Sequence, residues 1–242
     1  MEPNYRYVNM ELSSRDKVLS RIKRGLYGRT NHDRSGPERI AQNGRSMSAD
    51  SNLEHENHNL VEMFTNELAK VNGVSRVLND EDKLREYMSK VALDHDSKSC
   101  IVWETPLIHQ LKVIEYLKTN GLRIIKSQDK KQLATADIGI TEADYAIADS
   151  GTLVLFSSPK KPRLVSLIAP IHLAILDSKK IVMNIFELFQ LLKYKSDIEI
   201  DSTHLISCIT FITGPSRTAD IELTLTLGVH GPKELHILIY NK

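Results

Sequence analysis

The chain has 242 residues, with 32 Lys and Arg against 31 Asp and Glu, so its formal net charge is +1. This balance excludes the broad basic surface of a nucleic-acid-binding protein, and we expect no nucleic acid among its partners. Two cysteines, Cys100 and Cys208, are too few to hold an iron–sulfur cluster or to build a structural zinc site alone. No apolar run reaches the ~20 residues of a transmembrane helix, and the N-terminus lacks the apolar core of a secretory signal. The sequence therefore predicts a soluble, cytoplasmic protein without a transmembrane segment.

The chain divides into three zones of different composition. Residues 1–27 are predicted to contain a short basic amphipathic helix that faces solvent, with an anchor on an acidic partner or a membrane surface as the alternative. Residues 28–58 contain only five apolar side chains. These are too few to offset the entropy of ordering the segment, which predicts a flexible polar linker. Residues 59–242 alternate between helical and strand periodicity and are predicted to form one α/β domain.

The predicted elements of this domain follow the spacing of its apolar residues. Helices are predicted where apolar residues recur every three or four positions, and strands where they run together or alternate. In chain order the predictions are helices over 60–71 and 84–91, a strand over 100–103, a helix from Pro106 to Gly121, strands over 122–126, 153–156 and 171–176, a helix over 185–192, and strands over 208–213 and 235–240. The stretch 222–229 is ambiguous, and the alternation of its apolar residues favours a strand over a helix. Short strands separated by helices imply a largely parallel sheet covered on both faces.

The first candidate site is the polar segment 139–152. In open α/β sheets ligands bind beyond the carboxyl ends of strands, so polar loops that follow a strand are the expected binding sites. Thr141 and Asp144 have the spacing of a helix N-cap, whose free N–H groups bind anions. The second half of the segment supplies a carboxylate and two hydroxyls before an apolar strand: Asp149, Ser150, Gly151 and Thr152. The alternative is a turn whose side chains bond their own backbone.

The second candidate site is the segment 213–222, which follows a predicted strand. Its Gly-Pro pair enforces a bend, after which a Ser or Thr can cap a short helix. Arg217 projects from this turn, and its planar guanidinium can grip a carboxylate or phosphate through two hydrogen bonds. The acidic side chains here could instead pair with Arg217 or stabilise the helix N-terminus. The candidate substrate-binding residues of this segment are Gly214, Ser216, Arg217, Thr218 and Asp220.

Histidines supply the candidate proton-transfer groups. His172 begins a predicted strand and His230 lies in a Gly-rich loop, and imidazole is the side chain whose charge changes near neutral pH. His236, inside the last strand, is interpreted as a core residue, and His95 has no supporting context. Their spacing matches no zinc motif, so no metal site is predicted. The sequence also lacks the motifs of dinucleotide binding, phosphate loops, nucleophile elbows and redox cysteine pairs.

Three blocks of the sequence resemble a known family. They are GITEADYAIADSGTLVL at 139–155, the Pro-Ile-His step at 170–172, and the run ITGPSRTADIE followed by LGVHGPKELHILI between 212 and 239. These blocks are similar to the LUD domain, and most similar to its lactate-utilisation protein C subgroup (LutC, also called YkgG-like). The resemblance covers about residues 60–242 and is most specific at 209–236.

The resemblance implies both a fold and a function. The implied fold is an α/β three-layer sandwich with a central, mostly parallel sheet, like that of the NagB/RpiA/CoA-transferase group. The implied function is that of a subunit in a bacterial system oxidising L-lactate to pyruvate. In such a system, cysteine-rich and iron–sulfur partner proteins carry the clusters, and this chain binds no cofactor. On this interpretation Arg217 holds the substrate carboxylate, and His172 or His230 takes the hydroxyl proton. Asp149 then orients that histidine.

One departure from the family pattern lies in the first candidate site. The family usually reads Ala-Glu-Thr-Gly-Thr where this chain has Ala148-Asp149-Ser150-Gly151-Thr152. Because Asp is one methylene shorter than Glu, its carboxylate could be misplaced by ~1 Å, which can cost about 100-fold in rate. The substitution therefore affects the expected chemistry more than the expected binding.

Two other functions remain open at this point. One is a stand-alone isomerase, cyclo-ligase or acyl-transfer enzyme of the same fold group, acting on a small phosphorylated or carboxylated metabolite. The other is a non-catalytic assembly subunit whose motifs bind a partner or an effector.

Overall fold

The computed structural model describes residues 49–127, 129–196, 206–219, 225–228 and 230–241. The predicted amphipathic helix, and the predicted linker up to residue 48, lie outside the described residues. The described helices are α1 (Ala49–Lys70), α2 (Glu81–Asp94), α3 (Pro106–Gln110), α4 (Val113–Thr119), α5 (Lys130–Leu133) and α6 (Ile185–Ser196). The described strands are β1 (Val74–Leu78), β2 (Ser99–Val102), β3 (Arg123–Ile124), β4 (Ile138–Glu142), β5 (Tyr145–Ile147), β6 (Thr152–Ser157), β7 (Ile171–Asp177), β8 (Ile181–Val182), β9 (Cys208–Ile212), β10 (Arg217–Ala219), β11 (Leu225–Leu227) and β12 (Glu234–Tyr240). None of these helices is long and apolar enough to cross a membrane.

A parallel sheet forms the centre of the domain. Six of the described strands pair in the order β1-β12-β7-β4-β2-β3, and each of these pairings is parallel. Side chains of β7 and β12 are buried along nearly their whole length. Strands covered on both faces read as apolar runs, which is why both were visible in the sequence. The predicted α/β class with a central, mostly parallel sheet is confirmed.

A second sheet, which the sequence did not distinguish from the first, contains the described strands β8-β5-β6-β9 in that order. The β5–β6 and β6–β9 pairs are antiparallel, and the β5–β8 pair is parallel. Leu153 in β6 pairs with Ile212 in β9, so the start of β6 and the end of β9 lie at the same edge. Strands β10 and β11 form a separate antiparallel pair.

Helix α1 begins earlier than the predicted domain boundary at residue 59. It starts at Ala49, so the last part of the predicted 28–58 linker is helical in the structure. Phe64 and Leu68, four residues apart on one face, are fully buried in the core. The polar composition before residue 59 did not mark the start of the helix, because only the later turns carry an apolar stripe.

The helix predicted from Pro106 to Gly121 is instead two short helices. Thr105 caps α3 by accepting a hydrogen bond from the Ile108 N–H, and Lys112 then adopts a left-handed conformation with φ of 51°. The Leu111 carbonyl at this break accepts a hydrogen bond of 2.7 Å from Arg85 Nη1. The change of direction allows both helices to bury an apolar face, which the residue spacing alone could not reveal.

The two cysteines are expected to differ sharply in reactivity. Cys100 in β2 is fully buried and Cys208 is partly buried. Burial raises the pKa of the Cys100 thiol from 9.0 to about 12, which lowers its thiolate population about 1,000-fold. We therefore expect a thiol-reactive disulfide reagent to modify Cys208 in the native protein at neutral pH, and both cysteines in urea. Equal rates for the two native thiols would contradict the buried position of Cys100.

Candidate functional site

A small cavity lies where the two larger sheets meet. Its volume is about 210 Å³, below the ~300–1,000 Å³ of pockets for drug-sized ligands, so it suits a small metabolite. The polar side chains that line it are Ser166, His172, Thr210, Thr213, Ser216 and His230, and the remaining lining residues are Leu167, Phe211, Ile212, Gly214, Pro215, Gly231, Pro232 and Leu235. None of these described lining residues is a lysine, arginine, aspartate or glutamate.

The cavity lies at the amino ends of two parallel strands rather than at their carboxyl ends. His172 is the second residue of β7, and Leu235, its paired neighbour, is the second residue of β12. The opposite wall comes from the carboxyl end of β9 and the loop that follows it. The loop after β9, which the general rule for open sheets selects, lines this cavity, whereas the parallel sheet contributes the amino ends of its strands and not the carboxyl ends that the rule selects.

His172 is the most distinctive polar group of the cavity. Its side chain is 1% exposed, and its Nε2 lies 2.9 Å from Thr141 Oγ1 on the neighbouring strand β4. Its Nδ1 is buried and has no hydrogen-bond partner in the part of the chain that the structure describes. Burial lowers the pKa of His172 to about 3, so the imidazole is neutral at physiological pH. A buried polar atom without a partner is costly, and a bound ligand could supply the missing hydrogen bond.

His230 occupies a different environment at the same cavity. It is exposed, in the loop that leads into β12, and it lines the rim. The structure thus brings His172 and His230, both predicted as candidates, to one cavity, one buried and one accessible.

The structure also brings the two predicted polar segments together. Thr152 Oγ1 lies 2.7 Å from Thr213 Oγ1, because the start of β6 and the end of β9 share one edge. Both segments press against the last turn of α1. A Cβ atom added to Gly151 would lie 2.3 Å from the Leu68 nitrogen, and one added to Gly214 would lie 2.7 Å from the Val71 carbonyl oxygen. Both glycines have positive φ angles, which residues other than glycine rarely adopt.

Arg217 contacts the end of α1 and does not line the cavity. Its guanidinium donates a hydrogen bond to the Val71 carbonyl, where the helix dipole favours a positive charge. The helix cap predicted for Ser216 or Thr218 is wrong, because residues 217–219 form β10 and pair with β11. The Ser216 N–H instead donates to the Pro232 carbonyl at 2.8 Å, which joins the two cavity loops. Asp220 and the side chain of Thr218 lie outside the described residues.

Asp149 lies in a short 3-10 turn, at Ala148–Ser150, and does not line the cavity. Its side chain and that of Ser150 are exposed, while its N–H donates to the Met183 carbonyl. The structure therefore does not gather Asp149 and Arg217 around the two histidines.

Asp144 bonds within the protein through both of its carboxylate oxygens. One oxygen accepts from the Phe156 N–H at 2.7 Å, and the other accepts from Lys161 Nζ at 2.6 Å. The predicted N-cap formed with Thr141 is wrong, because this segment forms β4 and β5 instead of a helix. Turn-forming and capping residues are the same types, so the sequence pattern alone could not separate them.

Two polar lining residues, Ser166 and Thr210, were missed by sequence reasoning. Ser166 sits inside an apolar run, where its Oγ donates to the Arg163 carbonyl at 2.9 Å. Thr210 belongs to the predicted strand 208–213 and looked like an ordinary β-sheet residue, whereas Thr213 also begins the second candidate segment. The position of Thr210 on the strand carried no signal, because only the pairing of β9 with β6 sets which side chains reach the cavity.

Comparisons with known proteins agree with the fold and the motifs. The LUD domain family model matches residues 61–240. Lactate utilization protein C from Halalkalibacterium halodurans is 32% identical over 188 residues, which cover 74% of this chain and 78% of that protein. The protein of the same name from Bacillus subtilis is 30% identical over 193 residues, covering 78% of this chain and 72% of that protein.

A solved structure supports the fold independently. The structure is similar to the crystal structure of a DUF162 family protein from Deinococcus radiodurans, with a TM-score of 0.52 at 15% sequence identity. The match covers 76% of this chain and 98% of the Deinococcus radiodurans chain. At this identity the likeness concerns the fold alone. The family model and the curated relatives together show that the chain belongs to the LUD domain family, in its lactate utilization protein C subgroup.

Proposed function

We propose that this chain is the subunit without iron–sulfur clusters in a system that oxidises L-lactate to pyruvate, and that it binds a small carboxylate in the cavity beside His172. The oxidation removes two electrons and two protons from lactate, and the electrons pass to iron–sulfur clusters on partner proteins. Membership of the lactate utilization protein C subgroup supports the lactate system. The observation that carries the binding site is the buried, unpartnered Nδ1 of His172 at a cavity of metabolite size.

The cavity favours hydrogen bonding as the means of holding the ligand. Hydroxyl groups of Thr210, Thr213 and Ser216 line it, and Arg217 donates to the end of α1 instead. A neutral imidazole with a pKa of about 3 accepts a proton poorly at neutral pH. His172 therefore serves as a hydrogen-bond partner for the ligand. His230 at the rim is the imidazole that is placed to take the hydroxyl proton.

The proposal is tested by growth on lactate. Deleting the gene is expected to abolish growth on L-lactate and to leave growth on glucose unchanged, and the wild-type gene should restore it. A gene encoding His230→Ala should fail to restore growth, because the variant lacks the imidazole proposed to take the hydroxyl proton. The variant is expected to fold, since His230 is exposed and its removal leaves the core intact. The matched control is His109→Ala, an exposed histidine outside the cavity, which should restore growth fully. Normal growth of the deletion strain on L-lactate would overturn the proposal.

A further inference from the structure

Three metal-binding side chains converge at the junction of α2 and β12. His95 follows the last residue of α2, while Glu234 and His236 lie two residues apart on β12. Side chains alternate along a strand, so Glu234 and His236 share the face opposite to Leu235, which lines the cavity. This cluster is therefore separate from the proposed carboxylate site.

The distances within the cluster match those of a tetrahedral metal site. His95 Nε2 and His236 Nε2 each lie 3.1 Å from the same oxygen, Glu234 Oε2. Two ligand atoms bound to zinc at ~2.0–2.1 Å in tetrahedral geometry are separated by ~3.3 Å. One ligand atom from each residue lies within 4.8 Å of the others, so an ion at their centre needs only small side-chain shifts.

A residue behind the cluster orients His236. Tyr87 Oη, from α2, lies 3.1 Å from His236 Nδ1. With the ring proton on Nδ1, His236 donates to Tyr87 Oη and its Nε2 is free to bind a metal ion beside the Glu234 carboxylate. With the proton on Nε2, the same atoms form a hydrogen bond to Glu234, so metal binding requires the first tautomer. Histidines that bind metals ordinarily donate their other ring N–H to an oxygen acceptor such as a carboxylate, a backbone carbonyl or water, and here the hydroxyl oxygen of Tyr87 lies in that position.

The electrostatic setting of the cluster is mixed. His236 is largely buried, whereas the side chains of His95 and Glu234 are partly exposed. Glu234 supplies a negative charge, and the C-terminal end of α2 beside His95 favours a cation. The positive charge of Arg76, whose guanidinium carbon lies 5.7 Å from the centroid of the Tyr87 ring, disfavours the binding of a cation nearby.

We propose that His95, Glu234 and His236 bind a divalent transition metal, with zinc as the preferred ion. Two imidazoles and one carboxylate are typical ligands of zinc, whereas magnesium and calcium prefer oxygen ligands alone. Three protein ligands leave a fourth position for water or another small ligand, because Glu234 and His95 are both partly exposed. The ion also links the end of α2 to the start of β12.

The test is zinc binding by the untagged, full-length protein after treatment with a chelator. Isothermal titration with Zn²⁺ is expected to show one ion per chain, and titration with Mg²⁺ to show none. His95→Ala and Glu234→Gln change partly exposed side chains, so both variants are expected to fold. Each should weaken zinc binding by more than the ~10–100-fold typical of losing an outer-sphere partner. Tyr87→Phe should weaken it within that range.

The matched control is His109→Ala, which removes an exposed histidine outside the cluster and should bind zinc as tightly as the wild type. Substituting Co²⁺ for zinc should give the intense visible absorption of a tetrahedral site in the wild-type protein and not in His95→Ala. Zinc affinity unchanged in both His95→Ala and Glu234→Gln would overturn the proposal, as would the absence of stoichiometric binding by the wild type.

Discussion

Replacing Gly151 with alanine is expected to lower the free energy of unfolding by roughly 2–5 kcal/mol. Overpacking typically costs ~1–3 kcal/mol, and a side chain in the left-handed conformation adds ~1–2 kcal/mol. At Gly151 φ is 59°, and an added Cβ would lie 2.3 Å from the Leu68 nitrogen and 2.7 Å from the Leu68 Cα. These are backbone atoms of α1, so no side-chain rotation can relieve the clash. Urea unfolding followed by circular dichroism measures the loss.

Gly121 supplies the matched control for this experiment. Its φ is 85°, also in the left-handed region, but no heavy atom lies within 4 Å of an added Cβ. Gly121→Ala should therefore lose only the ~1–2 kcal/mol of backbone strain. The difference between the two losses in the free energy of unfolding measures the cost of the clash between the added Cβ and the backbone of α1. Equal losses in both would show that α1 does not pack here as the structure describes.

The sequence predicted β2, β7 and β12 of the central sheet because these strands are buried on both faces and form short apolar runs between helical segments. The apolar runs of β6 and β9 were also predicted as strands, although they belong to the second sheet. Helices α2 and α6 were predicted from apolar residues three and four positions apart. For these strands and helices the sequence signal is local, because a strand or helix that buries one or both faces must place apolar residues at a fixed spacing along the chain.

The segment that forms β4 and β5 shows where local signals failed. Thr141 and Asp144 have the spacing of a helix cap, yet Asp144 accepts from the N–H of Phe156, twelve residues away. Thr141 similarly meets His172 across two neighbouring strands. Such contacts depend on strand pairing, which residue types alone do not encode.

The arrangement of the candidate site could be predicted only in part, because it also depends on contacts between segments that are distant in the sequence. The motifs around residues 151 and 214 do lie at one edge, where both glycines pack closely against the end of α1, but only the second motif lines the cavity. Arg217 meets Val71, 146 residues away in the sequence, and this contact could not be anticipated from the turn that carries Arg217. The blocks that resemble the LUD family include residues that line the cavity, but the resemblance does not show what each side chain contacts.

The free energy of unfolding is expected to decrease as the pH falls from about 6.5 toward 3, because His172 is protonated in the unfolded chain but not in the folded protein. Burial lowers the pKa of this imidazole from 6.5 to about 3 in the folded protein. The unfolded chain therefore binds a proton in this pH range while the folded protein does not, and stability rises with pH wherever the unfolded state binds more protons. The contribution is complete above pH 6.5 and is lost at ~1.4 kcal/mol for each pH step downward. At pH 4.5 the loss is roughly 2–3 kcal/mol.

His172→Gln tests this assignment, because the glutamine amide can still bond to Thr141 Oγ1 but does not titrate. The variant is expected to be less stable than the wild type at pH 7, and the gap between the two should narrow by roughly 2–3 kcal/mol at pH 4.5. His109→Gln, which changes an exposed histidine, should keep the wild-type pH dependence. A gap that stays constant between pH 7 and 4.5 would mean that His172 is protonated as readily in the folded protein as in the unfolded chain. The imidazole would then have a pKa of about 6.5, be largely neutral at pH 7 and be basic enough to accept the proton of the lactate hydroxyl, the role proposed for His230.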